Sequence, residues 1–360
     1  MNQMNVLVLF GGCSPEHDVS MESAPQIIGS LSRHNIIPVY ITRAGKWLLY
    51  DGKPDNIRNI DWEKFGTAAV LSSDRVNRGL LRIVGDRVKV LPVDVVFPAL
   101  HGANGEDGTI QGLCEFAGIP YVGCGVLASA LAMDKAMTNR IADSLGIPQA
   151  NYLIFHKDEV SDDLAGVKKR IGYKIKYPLF VKPATGGSSL GCSKVKTRKE
   201  LEAAIHKALE YSSKIVVERA IVGREIECAV LGEGKKARIS EPGEVIHSGE
   251  FYDYNTKYHD SQSKNIIPAE LGEGVAERVK EYALKIFKGI DGKGQSRVDF
   301  FVTDDGKVLF NEINTIPGYT PISMYMKLWE AAGISSQDLV EELISIAVGQ
   351  SSEGLVRDGE

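Results

Sequence analysis

The chain has no surplus of basic charge, no paired-cysteine motif and no long apolar run. Its 42 Lys and Arg stand against 47 Asp and Glu, a formal charge of -5. The basic face with which a protein neutralises nucleic-acid phosphates is therefore missing from the composition. Five cysteines (Cys13, Cys114, Cys124, Cys192 and Cys228) are scattered, odd in number and never spaced as CxxC. That excludes a disulfide framework and a thiolate zinc site, and fits reduced thiols. No stretch approaches the roughly 20 consecutive apolar residues that span a bilayer. MNQMNVLVLFGG lacks a basic start and a cleavage site, so it reads as a first strand rather than a leader. Internal repeats and low-complexity linkers are absent too. These absences point to a cytoplasmic protein with no nucleic-acid or membrane partner.

What is present is ordinary globular composition, 43% hydrophobic and 25% charged, in 360 residues, long enough for two or three domains. NVLVLF (5–10) is a buried strand that passes through a glycine turn into a helix over 21–31. VDVVFPALHG is a second such strand, followed by a helix over 110–116. IIPVYIT, LLRIV and RVKVL read as further strands, GKWLLYDGKP as a hairpin or loop, and 52–90 is otherwise irregular. Strand, glycine turn and helix in succession indicate an α/β domain. Glu16 and His17 follow the first strand and His101 ends the other, at the carboxyl ends where open α/β sheets bind ligands. The plainer alternatives are a carboxylate favoured at a helix start for Glu16 and a structural hydrogen bonder for His101, although Glu106 lies nearby. Gly123 to Ala128 matches GxGxxG/A, but the acid about twenty residues on, Asp143, falls inside a helical run from Leu127 to Gly146. The dinucleotide reading therefore fails.

YPLFVKPATGGSSLGCSKV sets a glycine- and serine-rich loop between two strands, with Lys182 at the end of the first. Amides and hydroxyls in such a loop wrap phosphates, and the alternative is a flexible polar turn. The lysine precedes the glycines and no helix follows at once, so this is not a Walker loop. After an amphipathic helix over 198–212, the strands KIVVERAI and REIECAVLG bring Glu218 and Glu225 to either side of a short linker. There they either accept from an adenine amine and ribose hydroxyls or remain surface glutamates. The stretch from Gly249 to Lys264 holds four aromatics and no period, which suits a lid. GVAERVKEYALKIFKGI is an amphipathic helix.

The most informative stretch is Arg297 to Ser323, RVDFFVTDDGKVLFNEINTIPGYTPIS. A two-residue turn at Asp305-Gly306 predicts Phe301 opposite Phe310, Asp299 opposite Glu312 and Arg297 opposite Asn314. Arg297, Asp299, Glu312 and Asn314 then share one face. Like charges directly opposite destabilise a hairpin, so Asp299 and Glu312 ask for a cation. Two carboxylates and an amide oxygen are hard ligands suited to magnesium. A solvated charged face in another register is the alternative.

HGANGEDGTIQGLCE, ASALAMDKAMT, FVKPATGGSSLG, VGREIECAVLG, GEFYDYNTKY and RVDFF…NEINTIPGYTPIS, in this order from Gly11 to about Gly333, resemble the D-alanine–D-alanine ligase family of the ATP-grasp superfamily. The resemblance implies a mixed α/β fold of three domains: an α/β substrate domain (1–123), a central domain (124–219), a C-terminal catalytic domain (220–350) and a frayed tail (351–360). It implies that ATP and two magnesium or manganese ions are used to join two D-alanines through an acylphosphate for peptidoglycan synthesis, in a cytoplasmic homodimer.

By matching position, the resemblance implies Glu16, Ser188 and Tyr258 as a triad over the first D-alanine, with Val19, His101 and Glu106 around it. Arg297 and the Gly318 amide stabilise an oxyanion, and Ser323 and Met324 hold the second carboxylate. Lys135, Lys182, Ser188, Ser189 and Lys257 serve the phosphates. Glu218, Arg219, Ile221, Glu225, Phe180, Tyr252, Phe310, Asn311 and Glu312 complete the nucleotide site, and Asp299, Glu312 and Asn314 hold the metals. The sequence departs from the family at Asn255, usually acidic. ITRAGKWLLYDGKP is similar to the longer subgroup that includes glycopeptide-resistance ligases. Lys257-Tyr258 favours an amine acceptor over D-lactate, D-serine stays open, and a non-catalytic ATP-binding relative is the reading from a different class.

Overall fold

Runs of β-branched and aromatic residues form three separate sheets with helices packed on them. The computed structural model describes residues 3–52, 57, 60–246 and 264–354. The first sheet is built from β1 (Asn5–Gly11), β2 (Asn35–Ile41), β3 (Trp47–Leu49), β4 (Thr67–Leu71), β5 (Gly79–Val84), β6 (Arg87–Pro92) and β7 (Val95–Pro98). β1 lies between β2 and β7 and is parallel to both, while β3 to β6 extend the β2 edge antiparallel. β4 falls inside the stretch read as irregular; TAAVL is too short and too small to stand out by periodicity, and pairing with β3 and β5 makes it a strand.

α1 (His17–Ser30) begins at His17 rather than Met21. The polar start of this helix is buried because it bonds to the sheet: Ser20 Oγ accepts from Gly11 N at 2.7 Å and Ser23 Oγ meets His101 Nε2 at 3.0 Å. α2 (Trp62–Phe65) and α3 (Thr109–Ala117) follow. The helical run expected from Leu127 to Gly146 is two helices, α4 (Val126–Met133) and α5 (Lys135–Ser144). It breaks at Asp134, which turns extended and caps α5 by accepting from the amides of Ala136 and Met137 at 3.0 and 3.2 Å. Sequence periodicity did not show this break, because the apolar spacing continues through it.

The second sheet, β8 (Tyr152–His156), β9 (Leu179–Pro183), β10 (Ser193–Val195) and β11 (Lys214–Arg219), is antiparallel in the order β10-β9-β11-β8. Its apolar face packs on α7 (Leu164–Lys174) and α8 (Leu201–Leu209), which follow the short α6 (Lys157–Asp162) in the chain. The third sheet contains β12 (Arg224–Glu233), β13 (Arg238–Ile239), β14 (Gly243–Ile246), β15 (Lys264–Ile266), β16 (Lys293–Val302) and β17 (Val308–Asn314). Its order is β15-β14-β12-β16-β17, with β13 against β12.

Alternation divides the third sheet cleanly. Ile226, Cys228, Val298, Phe300 and Phe310 pack against the helix Val275–Gly289, whose Val279, Ala283, Ile286 and Phe287 repeat at helical spacing. The helices Met324–Ala331 and Ser336–Gly354 bury Tyr325, Trp329, Leu339 and Leu343 in one core with Phe10, Phe97 and Leu231, which fastens the first sheet to the third. Burying each such side chain contributes on the order of 2 kcal/mol.

The hairpin differs from the expected one in two places. Its loop has three residues, Asp304 to Gly306: Thr303 N donates to Lys307 O at 3.0 Å and Gly306 N to Thr303 O at 2.8 Å, with Gly306 left-handed at φ +75°. The turn-end pairs are therefore Val302–Val308, Phe301–Leu309 and Phe300–Phe310, not Phe301–Phe310. The register then slips between Asp299 and Phe300, with Asn311 as the extra residue on β17. The slip cancels the longer loop, so Asp299 opposite Glu312 and Arg297 opposite Asn314 are as predicted.

Candidate active site

The carboxyl ends of β1 and β7 lie side by side, so Glu16, at the start of α1, stands near His101 and Gly102. Gly102 has φ +71°, and a Cβ there would sit 2.5 Å from Glu16 Oε2; one on Gly187 would sit 2.6 Å from the same oxygen. The Glu16 carboxylate thus fits between two backbone surfaces that only glycine leaves open. It accepts a short hydrogen bond from Ser188 Oγ, in the glycine–serine loop. Both Ser188 and Ser189 are left-handed, at φ +51° and +57°, a strained conformation for non-glycine residues. Glu16 and Ser188 are buried.

His101 and Glu106 line the same cavity as Glu16 and also reach the loop after β17. His101 Nδ1 lies 3.2 Å from Ile316 O, and Glu106 accepts from Ile316 N at 3.2 Å and from Gly102 N at 2.8 Å. They tie the loop before Gly318 to the first sheet. Ser23 Oγ continues this link by accepting from Tyr319 N at 3.3 Å. Ser323 stands at the N-cap position of the Met324–Ala331 helix, and its Oγ accepts from Thr320 N at 3.0 Å.

Lys135 is the first residue of α5. Its backbone donates to Ala184 O at 2.7 Å and its Nζ to Gly186 O at 2.7 Å, so the break at Asp134 docks this lysine on the glycine–serine loop. Asp134 is itself held in an ion pair by Lys214. Lys182, on β9, pairs with Glu218 on β11. Burial works most strongly against the Lys182 charge, but Glu218, Cys192 and Glu312 together outweigh it and hold the ammonium above its ordinary pKa.

On the third sheet Glu227, Asp299 and Glu312 form a row across β12, β16 and β17. Arg297 donates to both oxygens of Asp299, Nε at 2.8 Å and Nη2 at 2.7 Å, and its Nε lies 3.0 Å from Glu227 Oε2. The residue is only 8% exposed. Burial opposes its charge, yet Asp299 and then Glu227 hold its pKa well above the usual value. Lys135 Nζ stands 3.9 Å from Glu312. Among the described residues no group of three or more His, Cys, Asp or Glu is gathered to hold a metal; the set called from the sequence contains an amide, Asn314, whose Oδ1 is buried without a hydrogen-bond partner.

Two adjoining cavities open onto these groups. Val19, Gly318, Ser323 and Met324 line the smaller, of about 140 Å³, together with Glu16, His101, Glu106, Arg297 and Asn314. Phe180, Lys182, Ser189, Arg219, Ile221 and Phe310 line the larger, of about 500 Å³, and so do Glu218, Glu225, Asp299 and Asn311. Lys135, Ser188, Glu227, Arg297 and Glu312 border both. Tyr252, Lys257 and Tyr258, and with them the expected lid, lie outside the described residues. Sequence reasoning passed over Glu227. Its signal was the alternation Glu225-Ile226-Glu227-Cys228, which sets two glutamates on the polar face of a buried strand.

The chain matches the family model described as D-ala D-ala ligase N-terminus over residues 5–124 and the one described as D-ala D-ala ligase C-terminus over residues 141–345. It is 48% identical to a D-alanine–D-alanine ligase of Caldicellulosiruptor bescii, covering 98% of this chain and 97% of that one. A D-alanine–D-alanine ligase of Bacillus velezensis is 43% identical, covering 96% and 98%. Among solved structures, the VanG D-Ala:D-Ser ligase from Enterococcus faecalis superposes with a TM-score of 0.86 at 38% identity, over 96% of this chain and all of that one. The D-alanine-D-alanine ligase from Coxiella burnetii does so with 0.84 at 34%, over 99% and 98%. With both halves matched and relatives aligned over nearly their full length, the chain belongs to the D-alanine–D-alanine ligase family, with the ATP-grasp fold.

Proposed function

We propose that the chain joins two D-alanines to D-alanyl-D-alanine, using ATP, for peptidoglycan precursor synthesis. The observation that carries this reading is the wall shared by the two cavities at Lys135, Ser188, Arg297 and Glu312, where a carboxylate held in the smaller one would meet a phosphate held in the larger. The curated relatives, named D-alanine–D-alanine ligases, support the substrate. In functional units the proposal divides the chain at 1–123, 124–219 and 220–350.

In this reading the first D-alanine places its ammonium on Glu16, which Ser188 orients, with Tyr258 closing over it. Its carboxylate attacks the γ-phosphorus, ADP leaves, and an acylphosphate forms. Lys135, Lys182 and Lys257 neutralise charge on the transferring group; Lys182 must first exchange Glu218 for a phosphate oxygen. Phe180, Arg219, Ile221, Tyr252 and Phe310 enclose the base, while Glu218 and Glu225 accept from its amine and the ribose. Asp299, Glu312 and Asn314 fit magnesium or manganese: the donors are all oxygen, the Asn314 oxygen is buried without a partner, and the row of carboxylates exceeds the charge of Arg297. Two such ions, when bound, supply further charge neutralisation to the phosphates.

The second D-alanine rests its carboxylate on Ser323 and the Met324 amide, at a helix start where backbone N–H groups favour anions. Its neutral amine attacks the acyl carbon. Arg297 and Gly318 N donate to the oxyanion, and as the tetrahedral adduct collapses the C–O bond to phosphate breaks and the amine's proton leaves with it as hydrogen phosphate. Water would hydrolyse the acylphosphate, so the reading requires the reacting groups to be shut off from solvent; the segment from Tyr252 to Tyr258, to which the sequence assigns that part, lies outside the described residues. The family resemblance supports a homodimer in the cytoplasm, the first of which light scattering checks.

The test is phosphate release with ATP and magnesium, offering D-alanine alone and then D-alanine with D-serine or D-lactate. Release with D-alanine alone is expected, with D-alanyl-D-alanine as product. No release under that condition overturns the reading, and mixed product in the D-serine arm alters its acceptor.

A further inference from the structure

We propose that Glu227 is a positioning residue that keeps the Arg297 guanidinium paired when a divalent cation takes Asp299. The inference rests on the metal platform of the function proposed above. Arg297 engages both oxygens of Asp299, at 2.8 and 2.7 Å. A cation that binds Asp299 must therefore displace at least part of this fork. Arg297 is buried, and a buried guanidinium stripped of its counter-charge is strongly unfavourable. Glu227 supplies the remaining counter-charge. It stands directly across from Asp299 in the β12–β16 pairing, on the side away from Glu312, and its Oε2 is 3.0 Å from Arg297 Nε.

The row therefore works as an exchange. Asp299 lies between a guanidinium on its own strand and a metal position toward β17, and Glu227 holds the guanidinium from the opposite side. As Asp299 turns to the cation, Arg297 pivots onto Glu227 and stays at the boundary of the two cavities, where acyl transfer needs it. Glu227 touches neither substrate in this account; it acts through Arg297.

The test measures free Mn2+ by electron paramagnetic resonance as the full chain is titrated in the presence of saturating ADP. Glu227→Gln is expected to weaken Mn2+ binding by roughly tenfold or more, the scale of one lost buried ion-pair contact. That alone does not separate positioning from the loss of a nearby negative charge, so Glu227→Asp decides. It keeps the charge and withdraws the contact by one methylene, and is expected to weaken Mn2+ severalfold. In an Arg297→Met background, Glu227→Asp is expected to change nothing further. Thermal melts check folding; if Glu227→Gln does not fold, the Asp variant carries the test. Wild-type affinity in Glu227→Asp, or an equal effect with and without Arg297, overturns the inference while leaving the platform standing. A wild-type chain that binds no Mn2+ with ADP overturns the platform and this inference with it.

Discussion

Asp299 stands directly opposite Glu312, and that pairing depends on a one-residue register slip at Asn311, immediately beyond it. Without the slip, the three-residue turn would bring Asn311 opposite Asp299 and turn Glu312 toward the core beside Phe310. A carboxylate in that apolar cluster would be unpaired. The bulge residue and Glu312 both line the larger cavity instead.

Because Asn311 is the extra residue, deleting it leaves Glu312 on the cleft side and Ile313 in the core. The deletion variant is expected to fold, with weakened nucleotide binding from the altered cavity wall. Inserting one alanine between Glu312 and Ile313 is expected to cost on the order of 3 kcal/mol or more, because Ile313 turns out and Asn314 turns in. Thermal or urea melts compare the two; equal stability of both variants contradicts the register argument.

Arg297→Ala is expected to lower turnover by about 10²–10³-fold, the scale for one oxyanion donor, while ADP still binds. It also leaves Asp299 and Glu227 without their cation, at a cost on the order of 3 kcal/mol. Calorimetric nucleotide titration beside phosphate release separates the two effects. Lost nucleotide binding in a folded variant contradicts the role proposed for Arg297.

Ser188→Ala removes the hydroxyl that donates to Glu16. The expected result is a KM for the first D-alanine raised by roughly tenfold, with the KM for ATP changed far less. Steady-state kinetics with both substrates varied measures the split. An effect falling wholly on ATP would assign Ser188 to the phosphates alone.

Burial raises the thiols of Cys114 and Cys124 from an ordinary 9.0 to about 12, with Glu115 adding to the effect at Cys114. The folded state therefore binds these protons more tightly than the unfolded chain. Their contribution to stability is complete below pH 9 and is lost as pH rises from about 9 to about 12, with a slope near 1.4 kcal/mol per pH unit for each thiol in that window. Urea unfolding at pH 8, 9.5 and 10.5 reads this loss. Cys114→Ala and Cys124→Ala are each expected to flatten the profile. In native alkylation at pH 8, exposed Cys13 is expected to react while Cys114, Cys124 and Cys228 stay unmodified.

The strands that carry the site were legible because each is apolar on one face and polar on the other over enough residues to count. Their pairing was less legible. An Asp-Gly pair suggested a two-residue turn, and only the backbone conformation of Gly306 and the slip at Asn311 show that two local irregularities cancel. Glu227 was unremarked because its meaning lies in which residue stands beside it on β16, a relation between residues some seventy apart in the chain that strand periodicity does not contain. The same holds for the contacts of Glu106 and His101 with Ile316, more than two hundred residues away in the chain.

The sequence by itself determined the polar faces, the glycine–serine loop, the lysines and the family, since these are matters of residue type and spacing along the chain. The tertiary structure decided which charges meet. Side-chain period is a local property, whereas the exchange of Asp299 between Arg297 and a cation depends on three strands being brought to a register that no one of them encodes.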